Sequence, residues 1–108
     1  MNMAEASLAH MVYFTLKDGS PEASEAMVQA CHKYLKDHPG VLYFSAGIRG
    51  TEFQRPVNNQ EYHVALNVVF DNKDSHDKYQ EAADHLTFIS ENKDKWANVQ
   101  VCDSYVTS

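Results

Sequence analysis

The stretch from Leu8 to Leu16 restricts the fold more than any other part of the chain. Leu8, His10, Val12, Phe14 and Leu16 alternate with Ala9, Met11, Tyr13 and Thr15, the period of an extended strand. Both rows are largely apolar, so the strand belongs at the centre of a sheet covered on both faces. His10 is the one strongly polar member of its row. Tyr62 to Phe70 repeats the pattern. Tyr62, Val64, Leu66, Val68 and Phe70 form one row, and His63, Ala65, Asn67 and Val69 the other.

The segments between and after these strands read as helices and turns. Lys17-Asp18-Gly19 is a turn, and Ser20-Pro21-Glu22 is a helix start: a hydroxyl cap, proline at the first helical position and an acid in the first turn. Ala23, Met27, Cys31, Tyr34 and Leu35 continue at helical spacing until His38-Pro39-Gly40 closes the helix. Val41 to Arg49 is a strand, with Leu42, Phe44, Ala46 and Ile48 on one side and a bulge expected at Gly47. Gly50 to Glu61 is a long polar connection. A short helix carries Tyr79 and Ala83 on its inner side. A second runs from His85 to Ala97 and buries Leu86, Ile89 and Trp96. A last strand covers Val99 to Val106.

The resulting order, β-α-β-β-α-α-β, predicts an α+β fold of the ferredoxin-like kind, a four-stranded antiparallel sheet with helices on one face. The other face, carrying Met11, Tyr13, His63, Ala65 and Val69, is too apolar to leave in water, so a second copy of the same sheet is the expected cover. The product is a homodimeric α/β barrel. His63 on that interface would make assembly sensitive to mild acid. Residues 1–7 are read as a frayed leader to a domain spanning 8–106.

Composition excludes several functions. A formal net charge of −6 argues against a nucleic-acid partner. No apolar run approaches the ~20 residues that span a bilayer, and the N-terminus lacks the features of a signal peptide. Cys31 and Cys102, the two thiols, are placed on buried faces of different elements, which predicts a reducing, cytoplasmic setting. There is no His-Glu-x-x-His, no zinc-spaced Cys/His cluster, no phosphate-binding glycine loop and no nucleophile motif. The expectation is a chain with no metal and no cofactor.

Candidate chemistry lies in Tyr79-Gln-Glu-Ala-Ala-Asp-His85-Leu-Thr-Phe88. Tyr79 and His85 are six positions apart. On one continuous helix that offset is about 600°, which points the side chains roughly 120° apart. They meet only if the helix breaks between them. Asp84 supplies a reason, as an N-cap accepting the N–H of Thr87, with His85 opening the second helix. There the imidazole would act as a base and Tyr79 as a donor to an enolate oxygen, with His10 orienting a carbonyl. Phe14, Leu66, Val68 and Phe88 would line the substrate space. Three readings stay open: catalysis, a non-catalytic ligand pocket, or a junction locked by hydrogen bonds to backbone. Space of roughly 300 Å³ under the helices would favour the first two.

Leu8-Ala-His10-Met-Val-Tyr-Phe-Thr-Leu-Lys-Asp18, His38-Pro-Gly-Val41, Val68-Val-Phe70 and Tyr79 followed by His85 together resemble the stress-responsive dimeric α/β-barrel domain family, over roughly Leu8 to Val106. The resemblance implies the dimeric barrel. The family includes plant stress-induced proteins of unassigned reaction and olivetolic acid cyclase, a cofactor-free polyketide cyclase. In that enzyme the residues matching His85 and Tyr79 carry an aldol condensation, and one matching His10 lines the pocket. The chain departs from the family in having Ala82-Ala83-Asp84, without proline, before His85. It also has Val64 where the cyclase has a further pocket histidine. The functions implied are a small-molecule pocket with cyclase or isomerase chemistry, a non-catalytic stress-associated structural dimer, or a cofactor-free monooxygenase.

Overall fold

The computed structural model describes residues 6–107. It contains β1 (Ser7–Leu16), α1 (Pro21–Leu35), β2 (Val41–Ile48), β3 (Val64–Phe70), α2 (Lys73–Glu81), α3 (Ala83–Asn92), a single 3₁₀ turn (Lys93–Lys95) and β4 (Trp96–Val106). The sheet order is β2-β3-β1-β4, with every neighbouring pair antiparallel. This is the ferredoxin-like α+β arrangement. Most of residues 1–7 lies outside the described residues, but Ser7 is already strand, opposite Val106.

β1 and β3 occupy the centre, as their two apolar rows require. Leu8, Val12, Phe14 and Leu16 join Val64, Leu66, Val68 and Phe70 to form the floor of the core. Met27, Val28, Cys31 and Leu35 of α1, Tyr79 of α2 and Phe88 of α3 close over it. Ser20 caps α1 as expected, its Oγ accepting the Ala23 N–H at 3.1 Å. Past the helix, Gly40 takes φ +86°, and a Cβ there would stand 2.3 Å from Ser75 Oγ. Only glycine lets the chain turn into β2 so close to the start of α2. No helix among the described residues is long and apolar enough to cross a membrane.

The opposite sheet face carries no helix among the described residues. Met11, Tyr13, Ala65, Asn67 and Val69 lie there half-buried. His63, expected in that row, is directed elsewhere. β3 starts only at Val64, and the His63 Nδ1 accepts the Leu16 N–H at 3.0 Å. A Cβ on Gly19 would lie 2.3 Å from its Nε2, so the missing side chain at Gly19 makes room for the ring. Tyr62, assigned to the buried row, instead meets Tyr13 edge-on at 5.0 Å.

Other boundaries also move. α3 ends at Asn92, whose buried side chain donates to the Phe88 carbonyl at 2.8 Å. Trp96 is the first residue of β4, opposite Leu16, and Lys17 N–H bonds Lys95 O at 2.9 Å. Strand pairing with β1 therefore wins over continued helical periodicity. Because the helix turns about a different face, Leu86 is exposed at 54%, Ala83 is exposed, and His85, Phe88 and Asn92 point inward. The irregularity expected at Gly47 sits between Val41 and Tyr43, and Leu42 and Ile48 are exposed. Cys102 is exposed, on the edge strand β4.

Candidate active site

The break between α2 and α3 builds the site. Ala82 is extended (φ −64°, ψ 145°) and serves as the last cap of α2 and the first of α3. Its N–H returns to Tyr79 O at 3.2 Å, and its carbonyl accepts the Leu86 N–H at 3.0 Å. Asp84 is not the cap. A capping residue must itself be extended, and that conformation falls two positions earlier, leaving Asp84 exposed in the first turn. A carboxylate there still interacts favourably with the helix dipole. His85 is thus the third helical residue rather than the first.

The break brings the two rings together. Tyr79 and His85 lie with centroids 4.7 Å apart at 63°, edge to face. Tyr79 also meets Phe70 and His38, each at 5.0 Å, and His10 at 6.0 Å. Tyr79 is 2% exposed and His85 8%. The Tyr79 Oη and the His85 Nδ1 are buried without a hydrogen-bond partner. Leaving a buried polar atom unpaired costs about 1–3 kcal/mol, so the pair is expensive to keep in a fold that does not use it.

His10 enters from the central strand. Its Nδ1 lies 2.5 Å from Asp103 Oδ1 on β4, where the antiparallel register sets the two residues opposite each other. A carboxylate accepts and does not donate, so the proton sits on Nδ1 and Nε2 keeps its lone pair. Neutral His10 therefore accepts a hydrogen bond on its free side. Orienting a carbonyl, the role expected of His10, requires a donor, which this tautomer does not offer on its free side.

Electrostatics keep the cluster uncharged. Burial pushes His85 down to about 4, helped by His10, His38 and His76 and opposed by the Gln80 backbone. Burial also lowers His10, with Asp103 pulling the other way. The Tyr79 phenol is raised well above its ordinary range by burial, then by Cys31. At neutral pH the pair is a neutral imidazole that accepts and a neutral phenol that donates.

Beside this pair is a cavity of about 160 Å³, lined by His10, Phe14, Leu66, Tyr79, His85 and Phe88, with Ile89, Val99 and Val101 among its other walls. Six of the seven residues assigned to the site from sequence therefore converge. Val68 does not line the cavity but is fully buried in the core. The space is about half the volume expected, because Phe14 packs against Phe88 and Trp96 at its end. An apolar cavity of ~150 Å³ holds one benzene-sized ring. A larger groove of about 300 Å³, bordered by Leu16, Ala23, Met27 and Lys95, lies away from the histidines and from Tyr79.

Sequence reasoning missed Asp103, Gln80 and His76. The signal for Asp103 was present: in β4 the inward row reads Val99, Val101, Asp103, Tyr105, an acid in an apolar phase. His76 lies one helical turn before Tyr79 and reaches His10, with ring centroids 5.0 Å apart.

The family model of the stress responsive A/B barrel domain matches residues 8–106, and the chain belongs to that family. Solved structures share the fold at low identity. A Dabb family protein with a ferredoxin-like fold from Mesorhizobium loti is 21% identical, with 95% of this chain and 99% of that one covered and a TM-score of 0.77. A dimeric ferredoxin-like protein of unknown function from Thermobifida fusca is 17% identical, with coverage of 98% and 96% and a TM-score of 0.77. The hydroxynitrile lyase of Passiflora edulis is 13% identical, with 95% of each chain covered and a TM-score of 0.73. No curated protein matches the sequence.

Proposed function

We propose that this chain binds a small oxygen-bearing organic molecule, no larger than a single ring, in the cavity beside the α2–α3 break, and moves a proton on it without a cofactor. The observation that carries the reading is the unmet hydrogen-bonding capacity of Tyr79 Oη and His85 Nδ1 beside that cavity. Tyr79 donates to the carbonyl oxygen of the ligand. His85 accepts the proton from the neighbouring carbon as negative charge moves onto that oxygen. A base held near 4 is weak, so the reaction depends on the phenol to stabilise the enolate. The Nε2 of His10 accepts from a hydroxyl of the ligand. Enolisation, isomerisation and intramolecular aldol closure all share this first step.

A purely structural junction is less well supported. A lock would have both side chains bonded to backbone; the Tyr79 Oη and the His85 Nδ1 have no partner, and the one backbone group acting on the His85 ring is that of Gln80. The half-buried row of Met11, Tyr13, Ala65 and Val69 supports a homodimer closed through the open sheet face. The free thiols at Cys31 and Cys102 fit a reducing, cytoplasmic setting.

The test is solvent deuterium exchange at the α-carbon of a panel of small ketones and hydroxyketones, followed by NMR. The intact chain accelerates exchange for at least one of them. His85→Ala and Tyr79→Phe each lower that rate by roughly 10²–10⁴. Equal rates in all three proteins would remove the proposal.

A further inference from the structure

We propose that His10, His76 and Asp103 form a binding site for a zinc-type divalent cation, joining β1, α2 and β4 next to the cavity that His10 lines. One ring nitrogen from each histidine and one carboxylate oxygen lie within 4.8 Å of one another. On a tetrahedral zinc, ligand atoms at ~2.0–2.2 Å from the metal are roughly 3.3–3.5 Å apart. The widest pair therefore has to close by about 1.5 Å at most, and His10 Nδ1 and Asp103 Oδ1, now 2.5 Å apart, have to open by about 1 Å, both within the reach of side-chain rotation. Two imidazoles and one carboxylate suit zinc and its divalent neighbours rather than magnesium or calcium, which take mainly oxygen ligands. Three protein ligands also leave a fourth position for water.

Burial grades the three ligands in a useful way. The His10 side chain is 6% exposed, that of His76 16% and that of Asp103 42%. One ligand is buried and two are partly open to water, which gives the ion a path from solvent. His76 also has an outer partner. Its Nδ1 lies 3.0 Å from Asp77 Oδ1, which places the proton on Nδ1 and leaves Nε2 as the ligating atom. The Nε2 of Gln80, 3.4 Å from the same nitrogen, is a neutral amide that the ion displaces.

At His10 the ion takes the place of the proton shared with Asp103. Coordination through Nδ1 moves the imidazole proton to Nε2, so no net proton is released from the neutral ring. His10 then becomes a donor on its free side. Occupancy thus changes which ligand group His10 can hold, while the site itself stands whether or not the cavity is catalytic.

Competition with a chromophoric chelator tests the site. The full-length protein, stripped of metal and desalted, is titrated with Zn²⁺, and with Co²⁺ for its visible absorption. One site per chain is expected, with the intense bands of a four-coordinate cobalt. His76→Gln and Asp103→Asn each weaken zinc binding at least tenfold, the scale on which even outer-shell losses act. His32→Gln, on the exposed side of α1, leaves it unchanged. Both test positions are more exposed than His10, and far-UV circular dichroism checks that the variants fold. A wild-type protein that binds no zinc, or a change of less than tenfold in either test variant, overturns the proposal. The deuterium-exchange assay is run on metal-free protein, so the two readings fail separately.

Discussion

Replacing Tyr79 by Phe separates a functional phenol from a structural one. Its ring is 2% exposed and packs on Phe70, His38 and His85, contacts that phenylalanine keeps. Its hydroxyl is buried with no partner. An unpaired buried hydroxyl costs about 1–3 kcal/mol, and removing it while keeping the ring recovers part of that penalty. We expect Tyr79→Phe to be more stable than the parent by about 1 kcal/mol. Urea unfolding slopes for small proteins are about 1–3 kcal/mol per M, so the midpoint should rise by roughly 0.3–1 M. Both proteins are compared at one protein concentration, because assembly contributes to apparent stability. The same variant should lose α-proton exchange. Stability given up in the parent and recovered in an inactive variant is the signature of a polar group held for a ligand. A stability lowered by about 1 kcal/mol or more would show that the hydroxyl holds the fold together, and the reasoning would fail.

The His85 ring gives a pH prediction whose sign is fixed. Its folded-state value of about 4 lies below the ordinary 6.5, so between these values the unfolded chain binds a proton that the folded chain refuses. Stability is full above pH 6.5 and falls as pH drops towards 4, by at most about 3 kcal/mol per chain. His85→Gln should flatten that slope in unfolding measured with a chelator present. Gly40→Ala should cost more than about 1 kcal/mol, since it combines a positive φ with a Cβ 2.3 Å from Ser75 Oγ, and thermal unfolding reads it directly. Val69→Lys on the open sheet face should shift sedimentation from dimer to monomer while leaving the circular dichroism of the chain unchanged.

The elements that could be read from sequence are those fixed by local chemistry. The double apolar rows of β1 made it a central strand, the alternation of β3 made it a strand, and Ser20-Pro21 marked the start of α1. Counting residues per turn showed that Tyr79 and His85 meet only across a helix break, and they do meet across one. Features that depend on competition between elements were misread. Ile89 packs on the core as its helical phase predicts, but Leu86 is exposed, and pairing of Trp96 with Leu16 draws the chain into β4 before the helix can reach Ala97. The helix break needed an extended residue, and nothing in an alanine side chain announces that Ala82 would take that conformation. Asp103 was visible only through the β1–β4 register, which pairs it with His10 across 93 positions. The size of the cavity depends on how Phe14, Phe88 and Trp96 stack, and residue type alone does not determine that.

The most direct measurement of the central claim is a native mass spectrum of the full-length protein before and after incubation with a cell extract, beside the His85→Ala, Tyr79→Phe double variant. The account predicts a small-molecule mass retained by the parent and lost from the double variant, which keeps the fold and the assembly. Parent protein that stays bare in extract, or an adduct held equally by the double variant, would contradict it.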